Sequence, residues 1–255
     1  MQSLLSRTFI CHLRQYTPRE FALGTRTLCT AQRQVQSVGM GIKTDITLYT
    51  ALTPNGIKVP ILLEELELEY KLYHVKLREN EQKLPWFLDI NPNGRIPAMT
   101  DTWVNGKQHR IFESGAILEY LVERYDKENR FSYPKDSPEY WEVKSWLSWQ
   151  IGGLGPMQGQ LEHFRRYAAE KIEYGINRYD NETHRLYNTM EAHLAKSPHG
   201  LLVGDRITIA DIACLGWVAN HDLDGVPLDK YPYLEKWLKK LLARPSYEKA
   251  QRMLS

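Results

Sequence analysis

A change of hydrophobic period partway along the chain constrains the fold more than any other feature. From Asp45 to Ala51 (DITLYTA) apolar and polar residues alternate in a β-rich run that reads as a strand. Thr53-Pro54-Asn55-Gly56 breaks it, and Ile57 to Leu66 (IKVPILLEEL) carries apolar residues at helical spacing. Pro60 falls in the first turn or so of that helix, where a missing N–H has no intrahelical partner to lose. Tyr70 to Leu77 reads as a second strand, so strand, helix and strand follow within about 30 residues, a βαβ unit with parallel pairing and a right-handed crossover. A short helix near Pro85 to Ile90, a strand over Ile96 to Asp101, a hairpin turn at Asn105-Gly106, a strand over Arg110 to Phe112 and a helix from Glu113-Ser114 to about Tyr125 follow. The order so far is βαβ, then ββα. Beyond a polar connector, Asp126 to Asp136, only helical spacing remains: Ser137 to Ile151, Met157 to about Ala195, Ile209 to about Leu223, and Pro232 to Ala243. Thr208 and Asp211 form a capping-box variant at the start of the third of these. The expectation is a small α/β domain with a mixed sheet over 45–126 and an all-helical domain over 135–255.

Charge divides the chain differently. Up to Lys43 there are six Lys or Arg against Glu20 alone, a net +5, which leaves −3 for the rest of a chain whose formal charge is +2. Residues 1–44 are rich in Arg and hydroxyl groups and poor in acids, without a long apolar period. Two readings fit: a mitochondrial transit peptide, or a disordered extension of a cytoplasmic protein with no address. No run of about 18 apolar residues occurs, so no membrane span is expected. The three cysteines cannot build a disulfide scaffold, and the mildly acidic body argues against nucleic acid as a partner.

Three segments resemble the glutathione transferase family: Asn91-Pro92-Asn93-Gly94-Arg95-Ile96-Pro97-Ala98, then Phe112-Glu113-Ser114-Gly115-Ala116-Ile117, then Ile207-Thr208-Ile209-Ala210-Asp211-Ile212-Ala213. More narrowly, Tyr49 to Gly56 and Trp149 to Met157 are similar to the nu-class enzymes and to the transferase-like domain of a fungal nitrogen-metabolism regulator. The resemblance implies a thioredoxin-like N-terminal domain, an all-α C-terminal domain, glutathione as co-substrate and a homodimer. It also implies that the Ile96-Pro97 bond is cis, with the N–H and C=O of Ile96 left to pair with the cysteinyl part of the peptide. Ser114 would take the γ-glutamyl carboxylate and Glu113 its ammonium group, at a helix start whose N–H groups favour anions.

A thiol of pKa near 8.5 is mostly protonated at neutral pH, so donors must favour the thiolate. The resemblance to the nu-class pattern makes Thr53 and Asn55, in the turn before the first helix, the candidate activating residues; by composition alone Thr53-Pro54-Asn55-Gly56 is simply a good turn. Tyr49, at the end of the first strand, is the rival, and strand alternation points it into the core. Cys214 lies among Ile212, Ala213, Leu215 and Trp217 and reads as a buried thiol, so thiol–disulfide chemistry would use glutathione sulfurs. The resemblance further assigns Gln82 to the glycyl end or backbone of glutathione and Arg178 to a carboxylate. Trp149, Met157, Phe164, Tyr167 and Trp217 are candidates for holding a second substrate, a small electrophile or disulfide, although aromatics at helical spacing are mostly core.

No metal or nucleotide is expected, because there is no HExxH and no zinc spacing, and the glycine-rich run Gly153 to Gly159 follows a helix and lacks a phosphate-loop lysine. The functional expectation is a glutathione-dependent enzyme that reduces disulfides or peroxides or conjugates electrophiles. The alternatives are a weakly catalytic regulatory module on the same fold and a biosynthetic transferase for one intermediate.

Overall fold

The computed structural model describes residues 35–39 and 41–255. Five strands form one mixed sheet: β1 (Gln36–Val38), β2 (Ile42–Thr50), β3 (Leu68–His74), β4 (Ala98–Thr102) and β5 (Gln108–Phe112), in the order β1-β3-β2-β4-β5. β2 and β3 are parallel, as a βαβ unit requires, with Leu48 opposite Leu72, and the other pairings are antiparallel. Between them α1 (Lys58–Glu65) buries Val59, Pro60, Ile61, Leu62 and Leu63. Pro60 is its third residue, inside the turn whose N–H groups have no helical acceptor.

The N-terminal boundary differs from the sequence expectation. Charge and composition place residues 36–38 in an extension ending at 44, yet they pair antiparallel with β3, Gln36 opposite Leu72 and Val38 opposite Tyr70, and β2 already begins at Ile42. A three-residue edge strand is too short to show alternation, so it has no period to read. Residues 1–34 and 40 of the extension, on which the targeting reading chiefly rests, lie outside the described residues.

β3 starts two residues earlier than expected and ends at His74, because residues 77–79 and 81–83 close two 3-10 turns about Asn80, whose φ is 54°. α2 (Pro85–Leu88) and α3 (Ser114–Tyr125) follow as expected. The helical half comprises α4 (Pro138–Trp149), α5 (Gly155–Glu162), α6 (Glu173–Leu194), α7 (Ile209–Val218), α8 (Pro232–Leu242) and α9 (Pro245–Leu254). The single helix expected over 157–195 is two, since a π turn at His163–Tyr167 ends in extended backbone at Ala168 before α6 begins. A second π turn, Gln150–Leu154, joins α4 to α5. The helix expected to reach Leu223 ends at Val218.

α9 was not foreseen. Only Ser246, Ala250 and Leu254 of it are buried, too few apolar residues to mark a period. Polar contacts fasten it to α1: Arg244 and Ser246 bond Glu65, and Lys249 bonds Glu64.

α7 is buried along its whole length and is the axis of the helical half. Its capping box forms as expected: Thr208 N–H donates to Asp211 Oδ2 at 3.0 Å, and Ala210 N–H donates to Thr208 Oγ1 at 3.3 Å. Asp211 Oδ1 also accepts from Leu202 N–H and Trp237 Nε1–H, so one carboxylate joins α7, α8 and the preceding loop. The two halves share one apolar core that runs from Val38 and Leu48 through α1 to Trp217 and Leu254.

Candidate active site: a cleft between sheet and helices

A cleft of about 860 Å³ opens where the turn after β2 meets the end of α7, a volume suited to a small peptide rather than a macromolecule. Its walls include Thr53, Pro54 and Asn55 from the turn, Gln82 and Ile96 from the sheet side, and Trp217 from α7.

The turn is shaped by its own hydroxyls. Thr53 Oγ1 accepts from Gly56 N–H at 2.9 Å, Thr50 Oγ1 donates to Gly56 C=O at 2.9 Å, and Ile57 N–H reaches Thr53 C=O. Because Thr53 Oγ1 accepts within the turn, its own proton remains available as a donor. The turn is pressed against α7: a Cβ on Gly216 would lie 2.0 Å from Pro54 C=O. Trp217, 7% exposed, donates its indole N–H to Asn55 Oδ1 at 3.0 Å. An indole nitrogen only donates, so this bond settles which end of the amide faces α7 and turns the Asn55 NH₂ the other way. The indole fits there because α5 offers no side chain; a Cβ on Gly159 would lie 2.9 Å from the ring. The glycine-rich run therefore makes room for a tryptophan.

The Ile96-Pro97 bond is cis. Ile96 lines the cleft, and among the described residues neither its N–H nor its C=O has a hydrogen-bond partner. Asn91, buried at 1%, braces the loop before it by bonding Arg95 C=O and Asn93 N–H. Asn93 Nδ2 continues to Glu113 Oε1 at 3.3 Å. Glu113 has φ 72°, a left-handed geometry that costs a non-glycine residue roughly 1–3 kcal/mol and tends to be kept at ligand sites. It precedes the N-terminus of α3, where Ser114 is buried. Neither residue lines the cleft; Glu113 is tied through Asn93 to the loop that carries Ile96. Gln82 lines the cleft and its Oε1 is buried without a partner, an acceptor that a ligand N–H would satisfy.

Tyr49 sits in an aromatic cluster with Tyr73, Trp86 and Phe87 at centroid distances of 5.7, 6.2 and 6.4 Å. Cys214, the cysteine among the described residues, is fully buried, and desolvation pushes its thiol well above the ordinary range. Such a thiol is a poor nucleophile.

Several expected site residues lie elsewhere. Arg178 is exposed on α6, outside the cleft, where its charge helps to lower the pKa of Glu182. Trp149 packs on Trp146 at 5.1 Å, Phe164 stacks on Tyr179 at 5.6 Å, and Met157 packs on the core. Helical spacing marks a buried face, and for these three the burial is against protein. Of the five candidates for a second substrate, Tyr167 and Trp217 line the cleft. The sequence reading missed Glu162 and Arg166 at the π turn, and Tyr247 and Gln251 on α9. Glu162 Oε1 accepts from Arg166 and from Tyr167 OH, each at 3.1 Å. Also missed was Lys58, 1% exposed at the start of α1, which donates to Gln150 Oε1 at 2.7 Å and Ser114 Oγ at 3.4 Å. Among the described residues no group of three or more His, Cys, Asp or Glu could hold a metal, and no helix is long and apolar enough to cross a membrane.

Two family models match the chain: Glutathione S-transferase, N-terminal domain, over residues 44–123, and Glutathione S-transferase, C-terminal domain, over 163–245. The Disulfide-bond oxidoreductase YfcG of Escherichia coli is 42% identical over 203 residues, which is 79% of this chain and 92% of that protein. The transcriptional regulator URE2 of Saccharomyces cerevisiae is 33% identical over 232 residues, covering 78% of this chain and 65% of the regulator. The crystal structure of a glutathione transferase homolog from Lodderomyces elongisporus, with two GSH per subunit, matches with a TM-score of 0.80 at 42% identity, over 83% of this chain and 99% of that one. With both family models matched in chain order and relatives at up to 42% identity over most of its length, the chain belongs to the glutathione S-transferase family, in the subgroup of YfcG and the URE2 proteins.

Proposed function

We propose that the cleft binds glutathione, ionises its thiol and uses the thiolate to reduce small disulfides. The observation that carries this reading is the orientation of Asn55: Trp217 holds its oxygen, so its NH₂ is a preset donor in a cleft that also presents Ile96 backbone groups without partners. An amide donor and the Thr53 hydroxyl both favour a thiolate over a thiol, which draws the sulfur pKa down from its ordinary value near 8.5. The cysteinyl backbone pairs with Ile96, the glycyl end meets Gln82, and the γ-glutamyl end reaches Glu113 and Ser114.

Electrons balance on glutathione alone. The thiolate attacks one sulfur of the substrate disulfide, forming a mixed disulfide and expelling the other half as a thiolate. A second glutathione resolves the mixed disulfide, giving glutathione disulfide and the second reduced thiol. Cys214 takes no part, being buried and held protonated. Attack on an electrophilic carbon or a peroxide uses the same thiolate and is a secondary capacity of the site. Turnover of hydroxyethyl disulfide with glutathione, by wild type and Asn55→Ala, tests the proposal: the wild type turns over and the variant loses roughly 10²-fold in kcat/KM, the scale of one donor to a developing anion. A wild type that binds glutathione without turning over would defeat the enzyme reading in favour of a regulatory one.

Two further proposals accompany it. The protein is a homodimer, supported by the subgroup to which it belongs and checked by light scattering. The Arg-rich residues ahead of β1 direct it to mitochondria, supported by composition alone and checked by imaging the protein with and without residues 1–34.

A further inference from the structure

Lysine is rarely buried without a charged partner, because desolvating an ammonium is costly. Lys58 is 1% exposed, and both its hydrogen-bond acceptors, Gln150 Oε1 and Ser114 Oγ, are neutral. Among the described residues no carboxylate oxygen lies within 4.0 Å of its Nζ. The charged and titratable groups that face it are few: Cys214 from α7, kept protonated by burial, and Glu113 from the start of α3, which is exposed. The site therefore holds a buried amine with no carboxylate in contact, and the one carboxylate that faces it, Glu113, is exposed.

Three elements converge on that amine. It stands at the first residue of α1; Ser114 opens α3; and Gln150 opens the π turn between α4 and α5. π turns inside helices recur at functional positions, and this one presents Gln150, itself 1% exposed, as the strongest acceptor of the ammonium. The contact with Ser114 has a directional consequence. A hydroxyl whose lone pair accepts from an ammonium turns its own proton outward, so Ser114 is set as a donor toward an incoming carboxylate.

We propose that Lys58 is a positioning residue for glutathione binding: a buried ammonium, tethered by Gln150, that orients the Ser114 hydroxyl and supplies the positive charge beneath the γ-glutamyl carboxylate. This rests on the assignment of that carboxylate to Ser114 made above. Burial lowers the Lys58 pKa to about 7, so near neutral pH part of the free protein lacks the charge. A carboxylate docked on Ser114 favours the ammonium, and binding then draws in a proton.

S-Methylglutathione is the probe, because its blocked thiol contributes no proton. Titration calorimetry in two buffers of different protonation enthalpy, at about pH 7.5, reads net proton uptake, and Kd is followed from about pH 6 to pH 8. Wild type takes up a fraction of a proton, and its Kd weakens about 5- to 10-fold across that range as Lys58 loses its charge in the free state. Lys58→Met, of similar length and uncharged, binds about 10-fold more weakly at pH 6, shows no pH slope and takes up no proton. Ser114→Ala binds more weakly than wild type throughout. A wild type with flat pH dependence and no uptake overturns the inference, and that measurement needs no variant to fold. Uptake that persists in a folded Lys58→Met also overturns it. A Kd unchanged in Ser114→Ala overturns the carboxylate assignment and the inference with it, whereas a weakened Ser114→Ala beside a pH-flat wild type defeats the inference alone.

Discussion

Trp217 Nε1 and Asn55 Oδ1 are joined by a 3.0 Å hydrogen bond across a sequence separation of 162 residues. The donor belongs to the helical half and the acceptor to the turn of the α/β half, so the orientation of the candidate activating amide depends on how the halves are packed. A shift of α7 by a fraction of an ångström would alter the site through Asn55 and Pro54 with no change in the sequence of the turn.

Replacing Trp217 with Phe removes the donor while keeping a ring in the pocket. The Asn55 amide then samples both orientations, and kcat/KM for disulfide reduction falls about 10-fold, while the thermal midpoint drops by only a few degrees. Asn55→Asp goes further, since a carboxylate facing the sulfur disfavours the thiolate. Its pH–rate profile shifts to higher pH than wild type. An unshifted profile would remove Asn55 from thiol activation.

Gly216→Ala tests the contact between α7 and the turn directly. The new Cβ would lie 2.0 Å from Pro54 C=O, and backbone cannot rotate away as a side chain can. The expected result is a loss of about 1–3 kcal/mol in chemical denaturation together with a disproportionate fall in kcat/KM. A destabilised variant with full activity would show that the turn tolerates displacement.

Lys58 makes stability depend on pH in a definite direction. Its folded pKa of about 7 lies below the ordinary 10.5, so the unfolded chain binds more protons between those values. The contribution of this group to stability is complete above 10.5, falls by about 1.4 kcal/mol per unit as pH drops, and is lost as pH passes through the folded value. Lys58→Met therefore unfolds at higher denaturant concentration than wild type near pH 7, and the difference shrinks by pH 9. A variant less stable than wild type at pH 7 would mean that the Gln150 and Ser114 bonds outweigh the desolvation.

Asp211→Ala strips the acceptor from Thr208 N–H, Leu202 N–H and Trp237 Nε1–H at once. Each buried donor left unpaired costs about 1–3 kcal/mol, so a loss of at least 3 kcal/mol is expected in urea unfolding. Asp211→Asn keeps one acceptor and recovers part of it. A loss below 1 kcal/mol would show that water replaces the carboxylate.

What the sequence by itself determined is the part written in local patterns. Alternation over Asp45 to Ala51, helical spacing over Ile57 to Leu66 and Asn-Gly at 105–106 dictate the βαβ-ββα order, because period and turn chemistry act over a few residues. Thr208 and Asp211 are three apart, so their capping box is legible for the same reason. The turn residues Thr53 and Asn55 and the Ile96-Pro97 pair were identifiable through short contiguous segments that resemble a family. The tertiary structure decided everything that depends on distant residues meeting. Gln36–Val38 becomes a strand only because Tyr70 to Leu72 lies beside it, and the weakly apolar α9 is a helix held by Glu64 and Glu65 of α1. Trp149 and Phe164 turned into protein while Trp217 reached the cleft, a choice that identical helical spacing cannot express. Nothing local in the sequence sets Lys58 apart; only the convergence of α1, α3 and the π turn at Gln150 removes it from water and makes its charge consequential.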